Sequence, residues 1–455
     1  MPVLQKRGRE RNPTRTIVLS FLLVILTGTF LLMLPISSRD GQFTPVNHAL
    51  FTATSATCVT GLIIYDTFQK WTEFGQVIIL LMIQIGGLGL VTFVTFFNFF
   101  LGRKLGLRKM QLANESVNSD GFGELKFLIR NVIKVSLTIE LIGALILMTV
   151  FVPDFGASGI FKSVFISISA FCNAGFDILG EKQPFMSLIG YNSNPVVLIT
   201  IMLLIICGGL GFIVWNDLFH YRKTKHLYLH TKVVLIVSGF LILLGTIAFL
   251  IVEWDNPLTM ANMSFGDKLL NSMFQSVSLR TAGFDSLNNA NLDPVSKVFS
   301  IILMYIGAAP GSTGGGIKVT TFAVILMTVV SILSNKEDTT ILGRKVDKTI
   351  VYKALTITML SFTAIFLATL SIFYSLKENK AVTGLNTLFE VVSAFATVGM
   401  SSGITALTNL FSELILTFMM FLGRVGPISI VLFIVIKGAD RSKKQVYPEG
   451  KIMVG

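Results

Sequence analysis

Residues 16–36 contain no charged side chain, and neither do residues 75–101, 195–216, 233–252 or 354–376. A hydrocarbon core about 30 Å thick is crossed by about 20 apolar residues in helical form, so each run is long enough to span it. Residues 135–153 carry only Glu140, residues 414–436 only Arg424, and the glycine-interrupted stretch 298–335 only Lys318. The sequence thus predicts eight membrane crossings. Charged residues are 14% of the 455 and hydrophobic residues 52%, whereas a soluble surface needs about 25% charge. A soluble globule, a disordered chain and a disulfide scaffold are excluded. Cys58, Cys172 and Cys207 lie among apolar neighbours without metal-ligand spacing and read as small buried hydrophobes. The first run follows basic residues but has no small-residue cleavage site, so it reads as a retained helix.

Eight crossings put both termini on one side. The five segments expected on that side hold 24 of the 37 lysines and arginines, and the opposite segments hold 8. Cytoplasmic loops carry the Lys/Arg excess, so both termini are expected in the cytoplasm of a multi-pass cell-membrane protein. The net charge of +12 is then largely topological, and no basic motif is left for nucleic acid. The implied surroundings are the lipid bilayer.

The opposite segments each hold an apolar stretch too short to span, followed by a small-residue turn. Aligned, they read SATCVTGL (55–62), SAFCNAGF (169–176), VSLRTAGF (277–284) and SAFATVGM (393–400). Gly61, Gly175, Gly283 and Gly399 recur at intervals of 114, 108 and 116 residues. The fold expected is an all-α membrane protein of four tandem helix–pore-loop–helix repeats around one pseudo-fourfold pore. Non-helical backbone at membrane depth must be buried in protein or line water. Four turns meeting on one axis would stack rings of carbonyls that replace the hydration shell of a monovalent cation. The candidate filter is therefore the backbone of Cys58, Val59, Thr60 and Gly61; Cys172, Asn173, Ala174 and Gly175; Arg280, Thr281, Ala282 and Gly283; and Ala396, Thr397, Val398 and Gly399. Glycine permits the positive φ that such a turn needs. No carboxylate lies in any turn, which disfavours a divalent ion. Asp177 and Asp285 follow two of the turns; they either concentrate cations at the mouth or are solvated loop residues, and the second reading is preferred. Arg280 reads as pointing away from the axis, tied to Glu or to backbone carbonyls behind the filter.

The segments after the turns also align: IGGLG (85–89), CGGLG (207–211) and LGRVG (422–426). The third repeat has instead GAAPGSTGGG, that is Gly307, Ala308, Ala309, Pro310, Gly311, Ser312, Thr313, Gly314, Gly315 and Gly316. Proline and five glycines do not sustain a helix, so this span is expected to break and place a plug-like loop under the filter. A phosphate-binding reading of GSTGGGIK lacks the Gly-Lys-Ser/Thr and the preceding strand. Arg424 at mid-span costs at least about 2.5–3.5 kcal/mol unless it meets a wet cavity or partners. It is therefore placed on the same axis, beside the loop, where it either binds the loop's carbonyls or sets a positive barrier in the cation path. Lys318 at the loop's end either does likewise or snorkels to the interface.

Together these residues resemble the Trk/Ktr/HKT superfamily of potassium transporters, in particular the membrane subunit of bacterial Ktr systems, over nearly the whole chain. The resemblance implies a potassium pathway, a homodimer, and a gate built from loop 307–316 with Arg424. It also implies a cytoplasmic ring of nucleotide-binding regulatory subunits, which must be a separate protein. It brings no cofactor to this chain; potassium is the transported ion, and sodium an activator or co-ion without an identifiable site. Glycine in the first turn, where some plant relatives that favour sodium have serine, matches the potassium-selective pattern.

The implied divisions are a cytoplasmic N-terminus (1–15), repeats 16–101, 126–220, 230–335 and 349–436, and a cytoplasmic tail (437–455). The competing reading is a secondary transporter of another small solute working by alternating access, since transporters also break helices at the midplane. Their broken helices usually fall in inverted halves, whereas these repeats run parallel. An enzyme is not expected: no paired carboxylates, Ser/His/Asp set or metal cluster lies in the spans. His48, His220, His226 and His230 lie at or beyond span ends.

Overall fold

A computed structural model describes residues 13–89, 125–181 and 183–435. The expectations for residues 437–455, for the N-terminus up to residue 12, for the second half of the crossing 75–101, for most of the connection 102–126 and for Lys182 lie outside these residues. Among the described residues the regular elements are helices, apart from one hairpin of two short strands that pairs Thr340 with Lys345 and Ile341 with Arg344.

The helices in chain order are α1 (Pro13–Met33), α2 (Val46–Thr57), α3 (Thr67–Lys70), α4 (Glu73–Leu88), α5 (Leu125–Phe155), α6 (Ser158–Phe171), α7 (Pro195–Gly209) and α8 (Phe212–Thr224). They continue as α9 (Leu229–Val252), α10 (Phe265–Ser278), α11 (Pro294–Tyr305), α12 (Val319–Leu333), α13 (Lys348–Ser375), α14 (Gly384–Ala396), α15 (Leu410–Val425) and α16 (Pro427–Val435). Within α1, α5, α9 and α13 lie four stretches long and apolar enough to cross a membrane, and α7 with α8 makes a fifth if that bent pair is one span. The protein is a multi-pass membrane protein.

Local signals explain the helix starts. Thr72 caps α4 by accepting from Gly75 N, and Asn194 caps α7 through Val196 and Val197 N. Asp293 caps α11 through Val295 N, and Asn409 caps α15 through Ser412 N. Each side chain takes up N–H groups that the first turn leaves without an intrahelical partner. Proline at the first position of α7 and α11 removes one such donor outright.

Burial runs opposite to that of a soluble protein. Leu23, Leu26 and Phe30 on α1 are exposed, at 68%, 63% and 64%. Ser55, Thr57, Thr60, Ser169, Ser393 and Thr397 are wholly buried. Apolar side chains outward and hydroxyls inward suit a hydrocarbon solvent. The packing closes on itself. α2, α6, α10 and α14 each pack on the long helix before them, α1, α5, α9 and α13. Each also takes the helix of another unit: α4 packs on α6, α7 on α10, α11 on α14, and α15 back on α2.

The sequence reading placed a break only between α11 and α12. The structure breaks two further helices. α7 and α8 meet at 94°, and α15 gives way to α16 at Gly426. Gly211 and Gly426, with φ of 90° and 91°, are the last glycines of CGGLG and LGRVG, and Gly89 of IGGLG has φ of 82°. A residue at that φ cannot continue a right-handed helix, and only glycine adopts it freely.

Candidate ion pathway

The four short helices α2, α6, α10 and α14 end at the four aligned octapeptides. In each turn the backbone crosses twice into the left-handed region. Val59 and Gly61 have φ of 58° and 94°, Asn173 and Gly175 58° and 69°. Thr281 and Gly283 have 69° and 76°, Thr397 and Gly399 51° and 93°. The glycines were legible in the sequence. The left-handed Val59, Thr281 and Thr397 were not, because β-branched residues rarely adopt that conformation unless the surroundings enforce it, whereas Asn173 is of a type that tolerates it.

The turns lie edge to edge in a closed ring. A methyl group built on Gly61 would lie 2.6 Å from the Ala174 carbonyl oxygen, and one on Gly175 2.8 Å from that of Ala282. On Gly283 it would strike the Val398 carbonyl, and on Gly399 the Thr60 carbonyl. Local bonds hold the turns to their helices. Thr60 N donates to Ser55 O at 2.8 Å, Ala174 N to Ser169 O at 2.8 Å, and Val398 N to Ser393 O at 2.9 Å. The serine hydroxyls add a bond the sequence reading did not assign: Gly61 N donates to Ser55 Oγ and Gly399 N to Ser393 Oγ, both at 3.1 Å. Serine at the head of the octapeptides was its signal, although Ser169 Oγ in the second makes no such bond among the described residues. The third unit differs; Ala282 N reaches Ser278 O at 2.9 Å.

A cavity of about 340 Å³ opens against the four glycines and is lined also by Asp177, Asp285, Ser187 and Asn289. Here the reading of the two aspartates as solvated loop residues is corrected. Both are half-buried against the cavity. Burial pushes the Asp177 carboxyl up to about 7 and that of Asp285 to about 8. Facing carboxylates add to the rise, Asp66 at Asp177, and Asp177 with Glu390 at Asp285. Asn289 Nδ2 donates to Asp285 at 2.7 Å.

On the other side of the ring lies the segment 306–318. Its ends are joined, with Gly307 N donating to Ile317 O at 2.8 Å and Val319 N to Ala308 O at 3.3 Å. Its middle is stitched to the break between α7 and α8. Ala309 N donates to Gly209 O at 3.1 Å, Thr313 N to Gly208 O at 3.3 Å, and Phe212 N to Gly311 O at 3.0 Å. Thr313 Oγ1 donates to Phe171 O at 3.2 Å, and Ser312 Oγ to Ala309 O at 2.6 Å. Side chains on Gly314 or Gly315 would strike the Thr281 and Thr397 hydroxyls, so the loop seats against the underside of the ring.

Arg424 donates from Nη1 to the Thr313 carbonyl and from Nη2 to the Gly86 carbonyl, with the Gly87 carbonyl 3.4 Å away. It joins the loop to the end of α4. Lys318 turns inward and donates to Gly314 O at 2.7 Å instead of extending to the interface. Arg280 donates to Gly307 O at 3.2 Å and Ser238 Oγ at 3.4 Å. Neither arginine has an ion pair among the described residues. Among those residues no group of three His, Cys, Asp or Glu is arranged to hold a metal.

Residues 5–445 match the family TrkH, described as "Cation transport protein". The chain is 37% identical to the "Potassium/sodium uptake protein NtpJ" of Enterococcus hirae, over the full length of both. It is 40% identical to "Ktr system potassium uptake protein B" of Bacillus subtilis, covering 98% of this chain and 97% of that one. The solved structure of the potassium transporter TrkH from Vibrio parahaemolyticus superposes with a TM-score of 0.72 over 95% of this chain and 86% of that chain, at 16% identity, which shows a shared fold. From a family match over nearly its whole length and relatives at 37–40% identity, the chain belongs to the TrkH family and is a cation transport protein of the Trk/Ktr type.

Proposed function

We propose that the chain is a potassium-uptake pore of the cell membrane, with eight crossings, four units around one axis and both termini cytoplasmic. The observation that carries this reading is the double left-handed step in all four turns, at Val59 and Gly61 and their three counterparts. Backbone that alternates between left- and right-handed conformations turns successive carbonyls to the same side. Four such strands edge to edge offer stacked oxygen rings to a dehydrated cation. Potassium is the substrate, held by the carbonyls of residues 58–61, 172–175, 280–283 and 396–399. Loop 307–316, with Lys318 and Arg424, is the gate. Sodium enters as activator or co-ion, consistent with the name of the Enterococcus relative. The Ktr relatives are named as parts of a system. On that basis the active form is a homodimer on a cytoplasmic ring of separate nucleotide-binding subunits.

Uptake of radioactive rubidium into vesicles holding the purified chain tests this reading. Potassium should compete at the lowest concentration, sodium weakly and amino acids not at all. Competition by an amino acid or another organic solute would favour alternating access instead. Topology is checked by impermeant maleimide on intact cells, which should label a cysteine placed at Lys182 and not one at Lys225.

A further inference from the structure

In the aligned turns, the position of Arg280 is held by Cys58, Cys172 and Ala396. Only the third turn therefore carries a long charged side chain there, and the third unit is also the one with the loop. The two asymmetries meet in space. The Arg280 guanidinium, 9% exposed, reaches from the turn to the carbonyl of Gly307 at 3.2 Å. Gly307 is the neck of the loop: its N–H closes onto Ile317, and a side chain there would strike the Gly315 carbonyl. A guanidinium has five N–H donors, and among the described residues Ser238 is the one further acceptor it finds, at 3.4 Å. A cavity of about 20 Å³, with Gly209, Ser238 and Ala308 in its wall, adjoins the group. That is room for one water molecule or for a small shift of the side chain.

We propose that Arg280 is a positioning residue that couples the loop to the ring, so that the position of loop 307–316 sets the geometry of the third turn and with it the choice between potassium and sodium. This rests on the reading of the ring as filter and the loop as gate. When the loop is seated, the Gly307 carbonyl fixes the guanidinium and the turn that carries it. When the loop leaves, that acceptor leaves with it and the third strand of the ring loses its lateral support. The coupling runs both ways, since a free-energy link between two sites is reciprocal.

The test is sodium and potassium competition against rubidium uptake by the full chain in vesicles, in the parent and in Arg280→Met, each with and without Arg424→Ala. Arg424→Ala loosens the loop without touching the turn. In the parent it should shift the sodium-to-potassium competition ratio by roughly tenfold, the weight of one hydrogen bond to a charged donor. In Arg280→Met the same change should move the ratio less than about twofold, because the link is already cut. Arg280→Lys keeps the charge and loses the planar fork, so its response should be intermediate. It carries the test if the methionine variant does not insert. Equal shifts with and without the arginine would make Arg280 only a local brace of its turn. No shift in the parent would likewise overturn the coupling. A parent whose rubidium uptake ignores potassium would instead overturn the pore reading itself.

Discussion

The ring of turns and the layer of helix breaks beneath it solve different problems with the same four units. In the ring, four unlike sequences, CVTG, CNAG, RTAG and ATVG, reach the same pair of left-handed residues. What is repeated there is backbone, and the side chains vary. In the layer below, the second and fourth units break at Gly211 and Gly426, the first ends α4 at Gly89 with a similar φ, and the third unit puts a loop in that place. Single side chains then hold that loop: Lys318 from within it, and Arg424 by tying it to the end of α4. A function of carbonyls needs all four units alike, whereas a function that opens and closes needs one unit unlike the rest.

The largest effect should come from breaking the ring's likeness. Gly399→Ser places a side chain at φ of 93° and against the Thr60 carbonyl. The left-handed conformation costs about 1–2 kcal/mol and overpacking about 1–3 kcal/mol, together enough for roughly a hundredfold. Potassium preference over sodium in rubidium competition should fall by about that factor. Unchanged competition would show that the four glycines do not line the path.

The glycines and the loop were legible because conformation left a mark on composition. Four glycines recurred at near-equal spacing, and GAAPGSTGGG cannot be read as helix. Arg280 and Arg424 stood out as charges in apolar surroundings. The left-handed Val59, Thr281 and Thr397 left no mark, since their strain is imposed by the closed ring and not by local propensity, and a single asparagine, Asn173, is too weak a signal to reveal the pattern. The breaks at Gly211 and Gly426 were missed for a related reason. An isolated glycine in an apolar run is compatible with a helix, although the Gly-Pro dipeptide at 426–427 was a usable signal. The inward turn of Lys318 depends on the fold of its own loop, which brings the Gly314 carbonyl to it, and the partial burial of Asp177 and Asp285 on segments far away in sequence.

A middle-sized effect should come from removing the unlike element. Deleting Ala309 to Gly314 takes away the acceptor of Arg424 and the bonds to Gly208, Gly209 and Phe171. Cation flux should rise by about tenfold and depend less on the regulatory subunits proposed above. Arg424→Ala should act in the same direction by about threefold, because a few bonds worth about 1 kcal/mol each remain. Flux below that of the parent in a folded deletion variant would make the loop a support of the ring.

A smaller effect separates the cavity from the ring. Asp177 and Asp285 are held up to about 7 and about 8 by burial and by facing carboxylates. Below pH 7 both are largely neutral, and above pH 8 both are ionised, which adds negative charge at the mouth as external pH rises. Uptake at subsaturating rubidium should therefore grow by about two- to threefold between pH 6 and 8.5, most clearly at low salt. Asp285→Asn should remove the part of the rise near pH 8 and leave the potassium-to-sodium ratio alone. A changed ratio would place Asp285 in the filter.

The smallest effect is expected at Gly209, in the layer of breaks. The sequence makes this glycine look indispensable, since it aligns with Gly87 in IGGLG and sits beside two other glycines. The structure gives a different reason to expect tolerance. The last glycine of the motif, Gly211, has φ of 90° and faces the Pro310 carbonyl, so the break depends on it. Gly209 ends α7 without a left-handed φ. A methyl group there would lie 3.5 Å from Asn173 Nδ2 and 4.0 Å from the Ala308 side chain, which is ordinary contact. The fourth unit already accepts the long side chain of Arg424 at the aligned position. The bond from Ala309 N goes to the backbone carbonyl of residue 209, which alanine keeps. Alanine is also the better helix former, by about 1 kcal/mol. Gly209→Ala should thus leave rubidium uptake and its potassium-to-sodium ratio within about twofold of the parent, with thermal stability equal or slightly raised. A tenfold fall in uptake by a folded Gly209→Ala protein would mean that the loop must pass through the space this glycine leaves open. The layer of breaks would then be as intolerant of side chains as the ring above it.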